Sequence, residues 1–182
     1  MERALVVIKP DGIEKELIGK VIAKFEESGL KVVGLKMVNA SSALVGKHYA
    51  ENEEWLLSVG KNAKAADAKR GIVTDETERQ IGMRIRSYLM NELTRLPVVA
   101  IVLEGQDANK NARKVAGSTE PKSADPSTIR GMYSTDTYVL ADKEKRSIRN
   151  IVHVSDSPES ANREIKVWFK DSELYDYKTL RS

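Results

Sequence analysis

The most restrictive feature of this sequence is a set of four short apolar runs of β-forming residues, separated by longer amphipathic segments. An apolar run of four to eight such residues is typical of a buried strand. Apolar residues that recur every three or four positions are typical of an amphipathic helix. The chain therefore alternates strands with helices. Strands are predicted at 4–8, 30–38, 98–103 and 150–154, and helices around Leu17, Val21 and Phe25, around Ile81, Ile85, Leu89 and Leu93, at 107–116, and around Ala161, Ile165 and Trp168.

This order of elements predicts an α/β (α+β) protein with the ferredoxin-like β-α-β-β-α-β plan, an antiparallel sheet with helices on its faces. The match requires one strand of the plan to be absorbed into a helical or irregular stretch. We expect a single domain over residues 1–182, with a helical insertion at about 58–95. Gly12 stands alone after the first run, so neither a P-loop nor a dinucleotide-binding fingerprint is present.

The composition narrows the classes of protein to which the chain can belong. Apolar residues make up 41% of it and aromatic residues 5%, which predicts an aliphatic core. The net charge of +3 is too small to indicate nucleic-acid binding by itself. The absence of Cys excludes disulfides and thiolate metal sites. No apolar run has the length of a membrane span and the first residues lack a signal-peptide layout, so we expect a cytoplasmic protein that does not enter the membrane.

His153 is the leading candidate for a chemical centre. A lone histidine on an apolar strand is more often a core residue than a reactive one. Glu164, however, borders the inward stripe of the last helix, where a carboxylate is costly unless it is paired. A carboxylate that accepts the proton of one imidazole nitrogen leaves the other nitrogen as a nucleophile. Ser155 and the N-terminus of the following helix are placed to help hold an anion.

Several cations and hydroxyls form a second candidate group. Lys9 ends the first strand, and Arg113 and Arg130 flank a long loop that contains Thr119. Each is individually as well explained as a solvated surface residue. Together they would form a phosphate clamp, because the planar fork of arginine matches phosphate oxygens. Trp55 is interpreted either as a core residue or as a face for a nucleobase.

Six motifs in order then resemble those of the nucleoside diphosphate kinase family. The central one runs from Asn150 through His153 and Ser155 to Glu164, and resembles the active-site signature of that family. The likeness covers nearly the whole chain outside the helical segment at about 58–95. The other motifs are Lys9-Pro10-Asp11-Gly12, His48-Tyr49, Pro97-Val98-Val99-Ala100 with Glu104-Gly105, Gly117-x-Thr119 with Pro121, and Thr128-Ile129-Arg130-Gly131.

The resemblance implies a magnesium-dependent kinase, a transferase that moves the γ-phosphoryl group of a nucleoside triphosphate to a nucleoside diphosphate by a ping-pong mechanism through phosphohistidine. It implies that Mg²⁺ is bound mainly through the nucleotide phosphates and water, with few protein ligands, and no metal-binding residue is assigned. It also assigns a role to each matching position. His153 is the phosphorylated residue, with Glu164, Ser155, Lys9 and Tyr49 as further catalytic residues, and Lys9, Trp55, Arg113, Thr119, Arg130 and Asn150 as substrate-binding residues.

The sequence departs from the family pattern in three places. The insertion after Tyr49 lies where the family has its base-stacking aromatic, so Trp55 is interpreted as that residue, with Leu56 and Leu57 as rivals. Val154 replaces a small residue and is expected to crowd the phosphoryl group. The stretch 131–150 is longer than in the family, where the corresponding region contributes to contacts between subunits. A homo-oligomer is expected, with a hexamer favoured and a tetramer or dimer as alternatives.

Two other functions are consistent with parts of the sequence. The long insertion and Val154 would suit a catalytically silent, nucleotide-binding regulatory module on the same scaffold. The pI of about 9.0 would suit a nucleic-acid-binding protein. That second alternative is disfavoured because the predicted strands lack the aromatic residues on which RNA-binding sheets stack bases.

Overall fold

The computed structural model describes residues 1–180; residues 181 and 182 lie outside the described part of the chain. The four apolar runs form one antiparallel sheet with the strand order β2-β3-β1-β4. This arrangement confirms the ferredoxin-like prediction. The expectation that one strand is absorbed elsewhere was wrong, because the four runs already supply the four strands of the plan and extra helices lie between the second and the third. The strands are β1 (Glu2–Ile8), β2 (Lys31–Val38), β3 (Val98–Gly105) and β4 (Val152–Val154).

The helices alternate with these strands. Gly29 follows the second helix with φ of 85°, a left-handed conformation that suits glycine and ends the helix. None of the helices within residues 1–180 is long and apolar enough to cross a membrane. The helices are α1 (Pro10–Glu14), α2 (Ile18–Glu27), α3 (Ser42–His48), α4 (Glu53–Lys69), α5 (Glu78–Thr94), α6 (Ala108–Ala116), α7 (Ile129–Tyr133), α8 (Tyr138–Lys143) and α9 (Pro158–Trp168).

The central strand β1 is buried on both faces of the sheet. Because side chains alternate along a strand, its residues divide between two apolar clusters. Val6 and its neighbours on one face pack against α2 and α6. Leu5 and Val7 on the other face pack against residues of α5 and α9. The sheet is therefore covered by helices on both sides, and α9 is held against the strand that pairs with β4.

Helices α4 and α5 form a tightly packed hairpin. A Cβ atom on Gly60 would overlap the backbone of Glu78, and one on Gly82 would overlap the backbone of Leu56. Glycine is needed at these two positions because the helix backbones approach too closely for a side chain. Arg86 on α5 donates from Nε to the carbonyl oxygen of Tyr49 at 2.7 Å. The hairpin is thereby attached to the end of α3, next to the candidate site.

The segment 131–149, for which the sequence predicted neither a strand nor a helix, contains the short helix α8. Thr137 begins this helix, since its hydroxyl accepts from the backbone N–H of Leu140 at 3.1 Å. The backbone N–H of Tyr138 donates to the Glu120 carboxylate at 3.0 Å. A helix of six residues has little intrinsic stability, so these contacts and its packing account for it.

Candidate active site

His153 and Glu164 are brought together by β4 and α9. The imidazole Nε2 lies 3.0 Å from Glu164 Oε2, and the Ser155 hydroxyl donates to the same oxygen at 2.7 Å. The ionised carboxylate can only accept, so we assign the proton of His153 to Nε2. The lone pair at Nδ1 is then available as a nucleophile. His153 is partly exposed and Glu164 is buried, so the imidazole borders the surface while its partner lies inside the protein.

Glu164 stays ionised over an unusually wide range of pH. Burial alone would raise its pKa, but the bond to His153, the nearby imidazole charges and the Ser155 hydroxyl outweigh burial and lower the pKa to about 2. The folded pKa lies below the ordinary value of 4.5, so the stability that this carboxylate contributes is present above pH 4.5 and is lost as the pH falls toward 2. Over the range in which most enzymes work, Glu164 therefore remains able to orient His153.

His48 is a member of the site whose contacts were not predicted from the sequence. Its ring is buried and meets the His153 ring edge-on, with 4.5 Å between the centroids. Trp168 donates its indole N–H to His48 Nδ1 at 3.2 Å, which places the His48 proton on Nε2. Burial, reinforced by the charge of His153, lowers the pKa of His48 to about 3. His48 is therefore a neutral packing partner that supports one side of the His153 ring.

The buried His48 leads to a prediction about acid stability. The unfolded chain protonates this residue below about pH 6.5, whereas the folded protein keeps it neutral until about pH 3, so stability must fall as the pH falls through this window. The expected contribution is about 1.4 kcal/mol per pH unit. In His48→Asn the amide oxygen can still accept from Trp168, and the unfolding free energy should decline less steeply between pH 6 and pH 4. Urea unfolding at several pH values measures both slopes, and parallel curves for the two proteins would contradict this account.

Tyr49 and Trp55 form an aromatic wall beside His153. Tyr49 lies edge-on to His153, with 6.2 Å between ring centroids, and Trp55 stacks on Tyr49 at 6.3 Å with an angle of 27°. Burial raises the pKa of Tyr49, so its hydroxyl is protonated and able to donate. Among the alternatives to Trp55, Leu56 is completely buried in the hairpin, whereas Leu57 is 39% exposed.

Lys9 lies beneath the site and bonds to the segment that precedes β4. Its ammonium donates to the carbonyl oxygen of Ile148 at 2.7 Å and to Asn150 Oδ1 at 3.0 Å. The Asn150 amide donates in turn to the carbonyl oxygen of Thr119 at 2.8 Å. Burial lowers the pKa of Lys9, while the neighbouring Asp11 carboxylate opposes that change. The predicted residues Lys9, Asn150 and Thr119 therefore form one connected chain of hydrogen bonds.

The two predicted arginines differ in how firmly they are held. Arg130 donates from its two terminal nitrogens to the carbonyl oxygens of Gly117 and Val152, each at 2.8 Å, and its buried Nε has no hydrogen-bond partner. Burial lowers the pKa of Arg130 to about 10, well above physiological pH, so it remains a cation. Arg113 and Thr119 are exposed. Arg130 is thus a fixed charge next to His153, and Arg113 acts on it electrostatically from a neighbouring position.

The expectation that Val154 crowds the site is not met. Along β4 the side chains alternate, so Val152 and Val154 both join the apolar cluster that packs against α2 and α6. His153 is directed to the opposite face, toward Glu164 on α9. The bulk of Val154 therefore fills the core and lies on the other side of the sheet from the reactive imidazole.

One group of potential metal ligands occurs in the described part of the chain. Ligand atoms of His48, His153 and Glu164 lie within 4.8 Å of one another. Two of the three are imidazole nitrogens, whereas Mg²⁺ prefers six oxygen ligands and keeps several waters. His48 is also bonded to Trp168, and His153 to Glu164. This group does not suit a resident magnesium ion.

The ferredoxin-like sheet carries a histidine bonded to a carboxylate, near the buried Lys9 and the half-buried Arg130. These features define a class of histidine-centred enzyme site. The family model for nucleoside diphosphate kinase matches residues 2–56 and 70–174. The nucleoside diphosphate kinase of Pyrobaculum aerophilum is 42% identical over 180 residues, covering 96% of this chain and 98% of that protein. That of Staphylococcus epidermidis is 38% identical over 181 residues, covering 100% and 96%. This chain belongs to the nucleoside diphosphate kinase family.

Two solved structures agree with the sequence comparisons. An NDP kinase from Pyrobaculum aerophilum superposes with a TM-score of 0.92 at 40% identity, covering 96% of this chain and 99% of that one. A nucleoside-diphosphate kinase from Borrelia burgdorferi, a transition-state mimic with bound vanadate and ADP, superposes with a TM-score of 0.79 at 32% identity, covering 98% and 93%. Both likenesses extend over nearly the whole of each chain.

Proposed function

We propose that this protein transfers the γ-phosphoryl group of a nucleoside triphosphate to a nucleoside diphosphate, with His153 as the residue that carries the group between them. The observation that supports this most strongly is the bond from His153 Nε2 to the buried Glu164 carboxylate, because it leaves Nδ1 unprotonated and oriented. Membership of the nucleoside diphosphate kinase family agrees with that chemistry.

The proposed reaction has two balanced halves. In the first, the Nδ1 lone pair of His153 attacks the γ-phosphorus, and the bond to the β–γ bridging oxygen breaks with its electrons. The nucleoside diphosphate leaves and the imidazole carries the phosphoryl group. In the second, a terminal oxygen of another nucleoside diphosphate attacks the phosphorus, and the P–N bond breaks to restore His153. Glu164 stabilises the imidazole through Nε2 in both halves, so the main work of the protein is positioning and charge stabilisation.

The remaining predicted residues are proposed to bind the substrate. Lys9 and Tyr49 would donate to the transferred phosphoryl group, since Lys9 bonds to Asn150 and Tyr49 lies against His153. Arg113, Thr119 and Arg130 would bind the nucleotide phosphates, and Asn150 would contact the sugar. Trp55 would stack on the base without forming hydrogen bonds to the groups that distinguish one base from another. We therefore expect the protein to accept different bases. Mg²⁺ would arrive bound to the nucleotide phosphates, as the family resemblance implies.

A catalytically silent regulatory module is the weaker alternative. It depended in part on Val154, which packs in the core away from His153. A coupled exchange assay distinguishes the two functions, using ATP with purine and pyrimidine diphosphates as acceptors. Turnover with all acceptors is expected. A folded protein that binds ADP but forms no new triphosphate would support the silent module instead.

We also propose that the chain is a single domain that acts in the cytoplasm as a homo-oligomer. Strand β2 lies at the edge of the sheet and exposes Leu35 (52%) and Met37 (57%). An apolar edge strand favours pairing with another chain. The family resemblance favours a hexamer over a tetramer or dimer, and light scattering of the purified protein measures which of these forms.

A further inference from the structure

Two elaborations of the chain meet at Arg70 and Asp142. Residues 57–69 lie outside the family model, and as helix they extend α4 by about 20 Å. Arg70 follows the end of that extension, and its guanidinium lies 2.8 Å from the Asp142 carboxylate on α8. The extension of α4 therefore brings a cation to a short helix that begins in a distant part of the sequence.

Helix α8 is also attached to the loop that carries the predicted phosphate contacts. The backbone N–H of Tyr138 donates to the carboxylate of Glu120, which directly follows Thr119. Arg130 donates to the carbonyl oxygen of Gly117, two residues before Thr119 in the same loop, at 2.8 Å. The first turn of α8 is thus attached to the loop that carries Thr119 and that bonds to Arg130.

These contacts link α4 and α8 to the candidate site from two sides. On one side, Tyr49 lies against His153 and Trp55 stacks on Tyr49 at the start of α4. On the other side, Arg130 bonds to the carbonyl of Val152, the residue before His153. The pair formed by Arg70 and Asp142 joins the far ends of the two sides. A nucleotide whose γ-phosphate is at His153 would have its nucleoside between α4 and α8.

The Tyr138 side chain suits a contact with the nucleoside. It is 44% exposed, so its ring is available to a ligand although part of it is covered. Arg130 already supplies a cation for the phosphates, whereas a phenol ring offers a π-face, and every base can stack on such a face. A second aromatic side chain in contact with the nucleoside would therefore add affinity without requiring a particular base.

From the contacts of α8, we propose that Tyr138 is a nucleotide-binding residue that contacts the nucleoside, and that the ion pair of Arg70 with Asp142 positions it. This inference deepens the proposed function and depends on it. Neither residue of the ion pair would touch the reacting atoms, so they act as positioning residues. The chemistry at His153 should accordingly be insensitive to them once the site is saturated.

Calorimetric titration with ADP and with inorganic tripolyphosphate, which lacks a nucleoside, tests the role of Tyr138. Tyr138→Ala should weaken ADP binding about tenfold and change tripolyphosphate binding less than twofold. Tyr138→Phe keeps the ring and should bind ADP within about threefold of the wild type. Val139→Ala, on the same helix and 60% exposed, is the matched control and should match the wild type. Unchanged ADP binding by Tyr138→Ala, or equal loss of both ligands, would overturn the inference.

A double-mutant cycle tests the positioning pair. Arg70→Met and Asp142→Asn should each weaken ADP binding two- to fourfold, and the double variant should be no weaker than either single one. Arg79 and Glu53 form an ion pair at 3.0 Å elsewhere on the hairpin, and removing it should leave ADP binding unchanged. If the losses of ADP affinity in the two single variants add up in the double variant, the two residues do not act through their ion pair, and the proposed positioning role would be contradicted. Failure of the wild type to exchange phosphoryl groups would refute the proposed function. Normal exchange by the wild type, together with variants that bind ADP as tightly as the wild type, would refute only this inference.

Discussion

Replacing His153 with alanine is expected to abolish phosphoryl exchange between nucleoside triphosphates and diphosphates, lowering kcat by a factor on the order of 10⁴ or more. The reason is chemical: the proposed mechanism has one nucleophile, and His48, the other imidazole near Glu164, is buried and has its Nδ1 lone pair bonded to Trp168. Affinity for ADP should change little, since the nucleotide is proposed to be held mainly by other residues. A coupled exchange assay, with ADP titrated separately by calorimetry, measures both quantities.

Loss of His153 also leaves the buried Glu164 with the Ser155 hydroxyl at 2.7 Å and the exposed Arg163 guanidinium at 3.6 Å as partners, so the variant must be shown to fold. His153→Asn is the useful second variant, because its amide can still donate toward the carboxylate but is a poor nucleophile. Both variants should be inactive in exchange, although their expression level and secondary structure content should equal those of the wild type. An alanine variant that retained more than a few per cent of wild-type exchange would place the nucleophile elsewhere.

Replacing Glu164 with glutamine is expected to lower kcat about 100-fold with little change in KM. The amide lacks the charge that stabilises the imidazole, and its NH₂ group can donate to His153 and move the ring proton to Nδ1. The nucleophilic lone pair would then be lost in part of the molecules. Rapid-quench measurement of histidine phosphorylation at saturating ATP isolates this step from nucleotide binding.

Glu159→Gln is the matched control for that experiment. Glu159 lies in the first turn of the same helix and is exposed, so the same change of charge is made without contact with His153. It should leave phosphorylation within twofold of the wild type. A Glu164→Gln rate equal to that of Glu159→Gln would mean that the carboxylate does not orient the nucleophile.

Much of the fold was predictable because its signals are local. Apolar runs located the four strands, and α3 and α9 begin at Ser41 and Ser157, residues of a type that favours the N-cap position. Helix α8 was missed because, apart from the local cap at Thr137, its contacts are with Glu120 and Arg70, which are distant in sequence. No pattern within residues 131–149 indicates those partners.

The site shows the same division. Glu164 could be paired with His153 from its position on an inward helical stripe, whereas the bond from Trp168 to His48 spans 120 residues and has no local signal. The incorrect expectation that Val154 crowds the site could have been avoided, since the side chains of neighbouring residues in a strand point to opposite faces of the sheet. There the strand geometry was a better guide than the departure from the family motif.

The central claim is that His153 carries the phosphoryl group, and trapping the phosphorylated protein tests it most directly. Folded wild-type protein mixed with γ-labelled ATP should take up label that is stable to alkali, labile to acid and located at His153. Added GDP or CDP should remove it as labelled triphosphate. No label on folded wild-type protein, or equal labelling of His153→Ala, would contradict the account.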